Sequence, residues 1–597
     1  MEWRRLPQVE EARAHRRRAD LLLALLLAAV LAAAWTSNAW GTLAWLVLPD
    51  NDDLMRLQQV RDWIAGQGFN DWTQHRLAPP HGGPMHWSRI NDLGPAALLL
   101  LARPLVGQHG AELAMVIVYP ALLFAAYLYL SARVGRRLHG DAAGPVAAVI
   151  AACAYPAHSL FLPGRIDHHA LQDVLLLAAV LALTVRPSFR AGLTAGLGVA
   201  LSFGIGLETA PAVIGLLGAE FALWVVHGRR ERARLLGFAT GLAGVTGLLL
   251  AFARPTSWSS MWCDAFTPAS SAAALLAAGL LAGFALVRSG DWRVRLAFGA
   301  VAGAVGGAVL LWAFPTCLSG PYGPMNPVVR QLFMDNVVEA TGNWARRTPG
   351  WGLPNAGVMI AATIATGWLL AIGRVGWAVL LPVSAVLLSA DIVLIAQARG
   401  AYVGSAVAAP ILAGLVVAAR AAKRGGAWKL PAAWIASTGI LWLVVPSWLD
   451  AKLEARPAGA PVLAGPPAAV TDCRAGRNWQ ALDRYPAGVI MAAMDMAPYA
   501  LAGTHHSIVA AGYHRSNAGN AAMYAFFLSP PERARAIGTE WSTDYVLLCP
   551  TDFSELDVGA RHAGSLAARL LANRPPDWLQ RLPLTDTGLR LYRVRRR

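Results

Sequence analysis

Four short stretches of this chain set acidic, histidine or arginine side chains where apolar sequence gives way to polar sequence. Asn51-Asp52-Asp53-Leu54-Met55-Arg56 carries paired carboxylates, hard oxygen ligands of the kind that suit Mg²⁺ or Mn²⁺. The same pair could instead head the amphipathic stretch Leu54–Ile64 as N-terminal helix caps. Pro163-Gly164-Arg165-Ile166-Asp167-His168-His169 joins two apolar stretches. Asp and His in so short a turn can ligate a metal and Arg165 can pair with an anion, or the turn merely caps two helices. Asp335-Asn336-Val337-Val338-Glu339-Ala340-Thr341 adds an acidic residue in a polar loop. Arg399, in Gln397-Ala398-Arg399-Gly400-Ala401-Tyr402, follows the mid-span Asp391 by eight residues. It either snorkels to headgroups or binds the phosphate of a lipid-linked substrate.

The elements that hold these groups must be membrane helices. Of 597 residues, 56% are apolar and only 14% charged, and mean hydropathy is +0.44. Soluble domains carry roughly 25% charged residues, and apolar runs of about 18 residues call for lipid as solvent. Disorder, collagen, coiled coil and disulfide miniprotein are excluded. Thirteen spans are expected at about 20–40, 112–132, 141–160, 169–186, 191–207, 209–227, 235–253, 271–288, 296–314, 353–373, 376–397, 401–420 and 430–448. The first follows Arg4, Arg5, Arg13, Arg16, Arg17 and Arg18 and is too long for a signal peptide, so it reads as a retained helix.

Alternate loops carry clustered Arg and Lys, among them Arg133/Arg136/Arg137 and Arg229/Arg230/Arg232/Arg234. The loops between them hold isolated arginines such as Arg165, Arg254 and Arg399. With the basic loops inside, thirteen crossings put the N-terminus in the cytoplasm and the C-terminus outside. The net charge of +16 is then topology rather than a nucleic-acid footprint. Outside lie a first loop (about 49–111), whose apolar Leu93–Val106 is too short to span and should rest at the interface, and a late loop (about 315–352). A transmembrane part, 1–448, therefore precedes an outer part, 449–597, that begins as a linker rich in Pro and Ala (Pro457, Pro461, Pro466, Pro467). β-like runs at Val489–Ala492, Ser507–Ala511, Tyr545–Cys549 and Leu589–Val594 alternate with helical Pro531–Ile537 and Ser565–Ala572, which suits a small α/β domain. Cys263, Cys317, Cys473 and Cys549 all map outside, so a periplasmic setting allows disulfides Cys263–Cys317 and Cys473–Cys549, whereas a reducing one leaves free thiols.

Taken together, these residues and this topology resemble the GT-C superfamily of membrane glycosyltransferases, and within it the single-subunit oligosaccharyltransferases and the catalytic subunit of their eukaryotic complex. Asp53, followed by Arg61-Asp62-Trp63, sits where that family keeps its first-loop metal-binding Asp. Gly164-Arg165-Ile166-Asp167-His168-His169 resembles its second acidic motif, with His169 replacing the second acid. Val337-Val338-Glu339 resembles its late-loop motif ending in Glu, and Arg399-x-x-Tyr402 the helix whose Arg contacts lipid pyrophosphate. The acceptor-binding Trp-Trp-Asp-Tyr-Gly motif has only the echo Met494-Asp495-Met496-Ala497-Pro498.

The resemblance implies a GT-C fold on the inner membrane and an inverting transfer on its outer face, in the periplasm. The donor would be a polyprenyl-phosphate- or pyrophosphate-linked sugar, the acceptor a protein or glycan. It further implies Asp53, Asp167 and Glu339 as catalytic groups, with His169 joining them around Mg or Mn, and Arg399 and Arg165 on the donor phosphate. A GT-C enzyme moving one sugar onto a lipid, polysaccharide or protein hydroxyl is the alternative. A transporter or flippase would need charges deep in the membrane and inverted repeats, and here only Asp391 is clearly mid-span.

Overall fold

The computed structural model describes residues 7–252, 262–322, 325–345, 349–422, 427–453 and 472–595. The expected linker at Pro457–Pro467 lies outside the described residues, as do Arg4, Arg5 and Arg254.

Each expected apolar stretch is helical. They begin with α1 (Pro7–Leu43); α2 (Asn51–Ile64) belongs to the first loop; then come α3 (Leu93–His139), α4 (Ala143–Ala152), α5 (His169–Thr184), α6 (Phe189–Ile205), α7 (Ala210–His227) and α8 (Arg232–Ala251). Helices Pro268–Leu286, Trp292–Ala313, Pro349–Ala371, Trp377–Ala396, Gly400–Ala421 and the pair Lys429–Ser437 and Ile440–Leu453 follow. By length and composition, eight helical stretches among the described residues can cross a membrane, or nine if the bent pair is one span, with α7 and α8 counted as one continuous stretch. Helices α4, α5 and α6 are apolar but shorter, between 10 and 17 residues, so thirteen apolar helices do not make thirteen full-length crossings. Leu93–Val106 is not a separate element. It forms the first part of α3, set off by a break at Gly107, whose φ of 72° suits a residue without Cβ. Leu101 and Leu105 on it are 73% and 84% exposed, as an interfacial helix would leave them.

The first loop carries a short antiparallel pair, β1 (Thr73–Gln74) and β2 (Gly83–Pro84), and the C-terminal region builds a five-stranded sheet in the order β4-β3-β5-β7-β6, from β3 (Val489–Ala492), β4 (Ser507–Ile508), β5 (Tyr545–Leu548), β6 (Leu579–Leu582) and β7 (Arg590–Val594). β4, β3 and β5 run parallel, β7 pairs antiparallel with β5, and β6 pairs antiparallel with β7. Side chains alternate across it with period two. Ile490, Ala492 and Leu547 pack against the first loop with Leu54, Leu57 and Trp87. Met491, Val546 and Leu548 pack on Phe526 and Phe527 of the Asn517–Leu528 helix.

The first loop also extends the sheet edge, because Ile508 N donates to Arg76 O at 2.8 Å and Ala78 N to Ile508 O at 2.7 Å. Arg76 then donates to the carbonyls of Leu501, Thr504 and His506, closing the end of the Ala497–Gly503 helix. Both disulfides are formed, Cys263–Cys317 and Cys473–Cys549.

Candidate functional site

The first acidic motif divides its labour along a helix. Asp50, just before α2, accepts from Asp52 N and takes the cap. Asp52 and Asp53 follow in the first turn, about 100° apart around the axis at 3.6 residues per turn. Asp53 therefore turns inward. Its Oδ1 accepts the backbone N–H groups of Ile166 and Asp167 at 2.8 and 2.9 Å, and its Oδ2 lies 3.1 Å from Arg165. Asp52 turns outward and lines open space. Asp53 is fully buried and absent from both cavities that Asp52 lines. The residue that matches the metal-binding Asp by motif thus fastens the second motif to the first, and its neighbour faces the site.

The second motif is shaped by Gly164. Its φ is 91°, and a Cβ there would lie 2.8 Å from Pro49, so the turn folds tightly against the exit of α1. Arg165 is held between Asp50 at 2.8 Å and Asp53. Asp167, His168 and His169 follow, with ligand atoms within 4.8 Å of one another. His168 lies between two carboxylates, Asp167 on Nδ1 and Glu208 on Nε2 at 3.2 Å. Burial opposes its charge, but those two acids outweigh it and push the imidazole up to about 10. With a carboxylate at each nitrogen, the ring is turned to those acids rather than to open space. The group in this turn with a free edge is His169, whose Nε2 stands 3.6 Å from Asp167 Oδ2.

The late loop brings in Glu339 on a short 3₁₀ turn (Val338–Ala340). Arg399 pins it twice: the backbone N–H donates to Glu339 O at 3.0 Å, and Nη2 to Oε1 at 3.1 Å. Arg399 Nε is buried and has no hydrogen-bond partner among the described residues. That orphaned donor fits an anionic ligand such as a phosphate.

Two cavities meet at this place. One, about 580 Å³, is lined by Ile392, Val393 and Ala396 of a membrane helix, by Arg399, and by Glu208, Asp264 and His514. The other, about 830 Å³, opens under the C-terminal sheet domain between Arg165, Asp495, Asp552, Tyr524 and Phe553. Asp52, His169 and Glu339 line both, and Asp167 lines the second. Burial, then the charges of Asp167, Asp50 and Glu339, push the Asp52 carboxyl well above the usual range. Acids so crowded take up a proton or a cation. Three carboxylates and one imidazole have the chemistry a divalent cation takes, although among the described residues only Asp167, His168 and His169 bring ligand atoms within 4.8 Å of one another, with Asp52 and Glu339 on the same cavity walls. Arg399 lines the first cavity and Arg165 the second.

Sequence reasoning assigned no role to Glu208, His86, Asp264 or His514. Asp264, beside Cys263, accepts from His514 Nε2 at 2.7 Å and pairs with Arg515. This ties the C-terminal domain to a membrane-domain loop. Burial drives His514 down to about 4, helped by His86 and Arg515 and only partly opposed by the hydrogen bond to Asp264. Glu208 carried a signal in its position, as the one acid between the apolar stretches α6 and α7.

No family model matches the chain, and no curated protein matches it either. Solved structures do. The Archaeoglobus fulgidus oligosaccharyltransferase in its apo form aligns with a TM-score of 0.64 at 14% identity, over 90% of this chain and 70% of that one. The same organism's oligosaccharyltransferase AglB, in complex with an inhibitory peptide and a dolichol-phosphate, gives 0.63 at 14% identity over 97% and 74%. Its complex with Zn and sulfate gives 0.60 at 15% identity over 96% and 73%. This chain is a multi-pass helical membrane protein with the GT-C fold of those archaeal oligosaccharyltransferases.

Proposed function

We propose that the chain is a metal-assisted, inverting glycosyltransferase. It moves a sugar or oligosaccharide from a polyprenyl-phosphate- or pyrophosphate-linked donor to an acceptor at the outer, periplasmic face of the inner membrane. One observation carries this reading: two cavities, one bordered by a membrane helix and one by the C-terminal sheet domain, share a wall of Asp52, His169 and Glu339. Inversion needs the nucleophile and the leaving phosphate on opposite faces of the anomeric carbon. A lipid donor in the first cavity and an acceptor in the second meet that requirement. The C1–O bond breaks with its electron pair passing to the phosphate, and the acceptor's heteroatom bonds to C1 from the other side.

Arg399 holds the phosphate through its free Nε. Asp52, Asp167, Glu339 and His169 would hold the divalent cation (Mg or Mn), which when bound neutralises charge growing on the leaving phosphate. Asp53 keeps the two acidic motifs in register, and Arg165 offsets the acids on the acceptor side. A carboxylate on the shared wall orients the acceptor and takes its proton. The AglB complex with an inhibitory peptide and a dolichol-phosphate supports a lipid-linked donor and a peptide acceptor, and the complex with Zn and sulfate supports a cation site.

The test is sugar transfer by the purified protein in lipid, with polyprenyl-pyrophosphate- and polyprenyl-monophosphate-linked donors, with and without EDTA. Transfer abolished by EDTA and restored by Mn²⁺ is expected. Transfer from the monophosphate donor alone, untouched by EDTA, would favour the single-sugar GT-C alternative. No transfer from either donor, to peptide, lipid or glycan acceptors, overturns the proposal.

A further inference from the structure

A file of buried polar groups runs from the C-terminal domain to Asp167, joined by hydrogen bonds at its two ends and by ion-pair contacts at Glu208 between them. The backbone N–H of His86 donates to Tyr513 Oη at 2.6 Å, so that oxygen is an acceptor there. The hydroxyl hydrogen is left for His86 Nδ1, which lies within hydrogen-bond reach of the same oxygen. Nδ1 is therefore the acceptor nitrogen of His86, and Nε2 carries the proton. Nε2 faces Glu208 Oε1 at 3.6 Å. The same Oε1 lies 3.2 Å from His168 Nε2 as an ion-pair contact, and the other nitrogen of His168 hydrogen-bonds with Asp167 Oδ1. Glu208 is the acceptor at the middle of the file, faced by His86 on one side and His168 on the other.

The file is also buried and braced. His86, His168 and Tyr513 are 4%, 2% and 2% exposed. Trp87 packs against the rings of both His168 and Tyr513 with centroids 5.3 Å apart. Gln172, reaching Glu208 from α5 at 3.4 Å, holds the carboxylate's other oxygen.

We infer that Tyr513 and Glu208 are positioning residues whose relay, through His86 and His168, lets the seating of the C-terminal domain set the orientation of the Asp167 carboxylate and hence the metal affinity of the site. With Oδ1 taken by His168, Asp167 presents Oδ2 toward His169. Groups that orient a metal ligand from behind typically change affinity by about 10- to 100-fold when altered. The inference rests on the proposed cation site, but its first half, the tautomer of His86, does not.

The test uses the full chain in lipid nanodiscs. Mn²⁺ binding is titrated by electron paramagnetic resonance for wild type, Tyr513→Phe and Glu208→Gln, and the His86 tautomer is read by ¹⁵N resonance in histidine-labelled protein. Wild type should show His86 protonated on Nε2. Tyr513→Phe should lose that fixed tautomer, and both variants should bind Mn²⁺ at least about tenfold more weakly while still unfolding cooperatively. An unchanged His86 tautomer in folded Tyr513→Phe overturns the relay. A changed tautomer with wild-type Mn²⁺ affinity in both variants overturns its reach to Asp167. A wild type that takes up no Mn²⁺ overturns the cation reading itself, and the His86 spectra then decide the relay alone.

Discussion

At the scale of single residues, one position separates architecture from chemistry. Asp53 satisfies two backbone N–H groups and pairs with Arg165, whereas Asp52 borders both cavities. Asp53→Ala should leave those donors unmet and cost about 1–3 kcal/mol, read as a drop in the unfolding midpoint. Asp52→Asn should leave the midpoint nearly unchanged yet abolish transfer. The reverse pattern would return the catalytic role to Asp53. The sequence made the motif legible but not which acid of the pair faces the site, because that depends on the phase of α2 against a turn more than a hundred residues away. Arg399 gives a second prediction. Its Nη2 is committed to Glu339 while Nε is free. Arg399→Lys keeps the charge but loses the fork, so the Michaelis constant for the lipid donor should rise about tenfold, a loss of ~1.4 kcal/mol. An unchanged constant would mean that the guanidinium only snorkels.

At the scale of elements, hydropathy located the helices well because lipid leaves little choice: every backbone polar group must be satisfied within the helix. It could not tell how they pack. Helices α6 and α8 touch backbone to backbone through Gly192 and Gly196 on one and Gly237 and Gly241 on the other, small residues four apart on each. A Cβ on Gly237 would lie 2.0 Å from Phe189 O, and one on Gly192 1.9 Å from Arg234 O. No rotamer relieves a clash with backbone. Gly237→Ala should therefore lower stability by about 1–3 kcal/mol, seen as a lower unfolding midpoint of the detergent-solubilised protein, whereas Gly303→Ala, with open space at its Cβ, should be silent. In the C-terminal region, β3, β4, β5 and β7 were visible as β-branched and aromatic runs. β6 (Leu579–Leu582) was not, since its exposed Gln580 and Arg581 read as surface. The Asn517–Leu528 helix was also missed, because its Gly519 and Asn520 weaken the helical pattern locally.

In the proposed function the acceptor cavity exists only when the C-terminal domain is seated, and two predictions concern that seating. The first is electrostatic. His514, held down to about 4 by burial, joins the domain to Asp264. Its unfolded value is near 6.5, so between about 6.5 and 4 the unfolded chain binds more protons than the folded one. This group's contribution to stability is thus lost as pH falls through that window. The midpoint of wild type should decline there more steeply than that of His514→Gln, which keeps a donor for Asp264 without titrating. Parallel profiles would show that His514 is not the group that resists protonation.

The second concerns what the seated domain reads. A site that selects Asn-x-Thr must hold the threonine hydroxyl, and one built to pair a hydroxyl rejects its absence by several orders of magnitude. The resemblance expects paired tryptophans for this at the start of the domain. Here Met494, Asp495 and Met496 stand at that place on the second cavity, with Met523, Tyr524 and Phe553 around them. Asp495 accepts from Asn51 at 3.2 Å, so one of its oxygens is already engaged with the first loop. Thioethers are weak acceptors and offer no donor, so this wall gives a peptide's threonine little to bind. A peptide bearing Asn-x-Thr should accordingly be no better an acceptor than its Asn-x-Ala control, with the purified protein and a lipid-linked donor. Strong threonine-dependent transfer would mean that other groups on this cavity, Thr551 or Ser554 among them, rebuild the hydroxyl pocket.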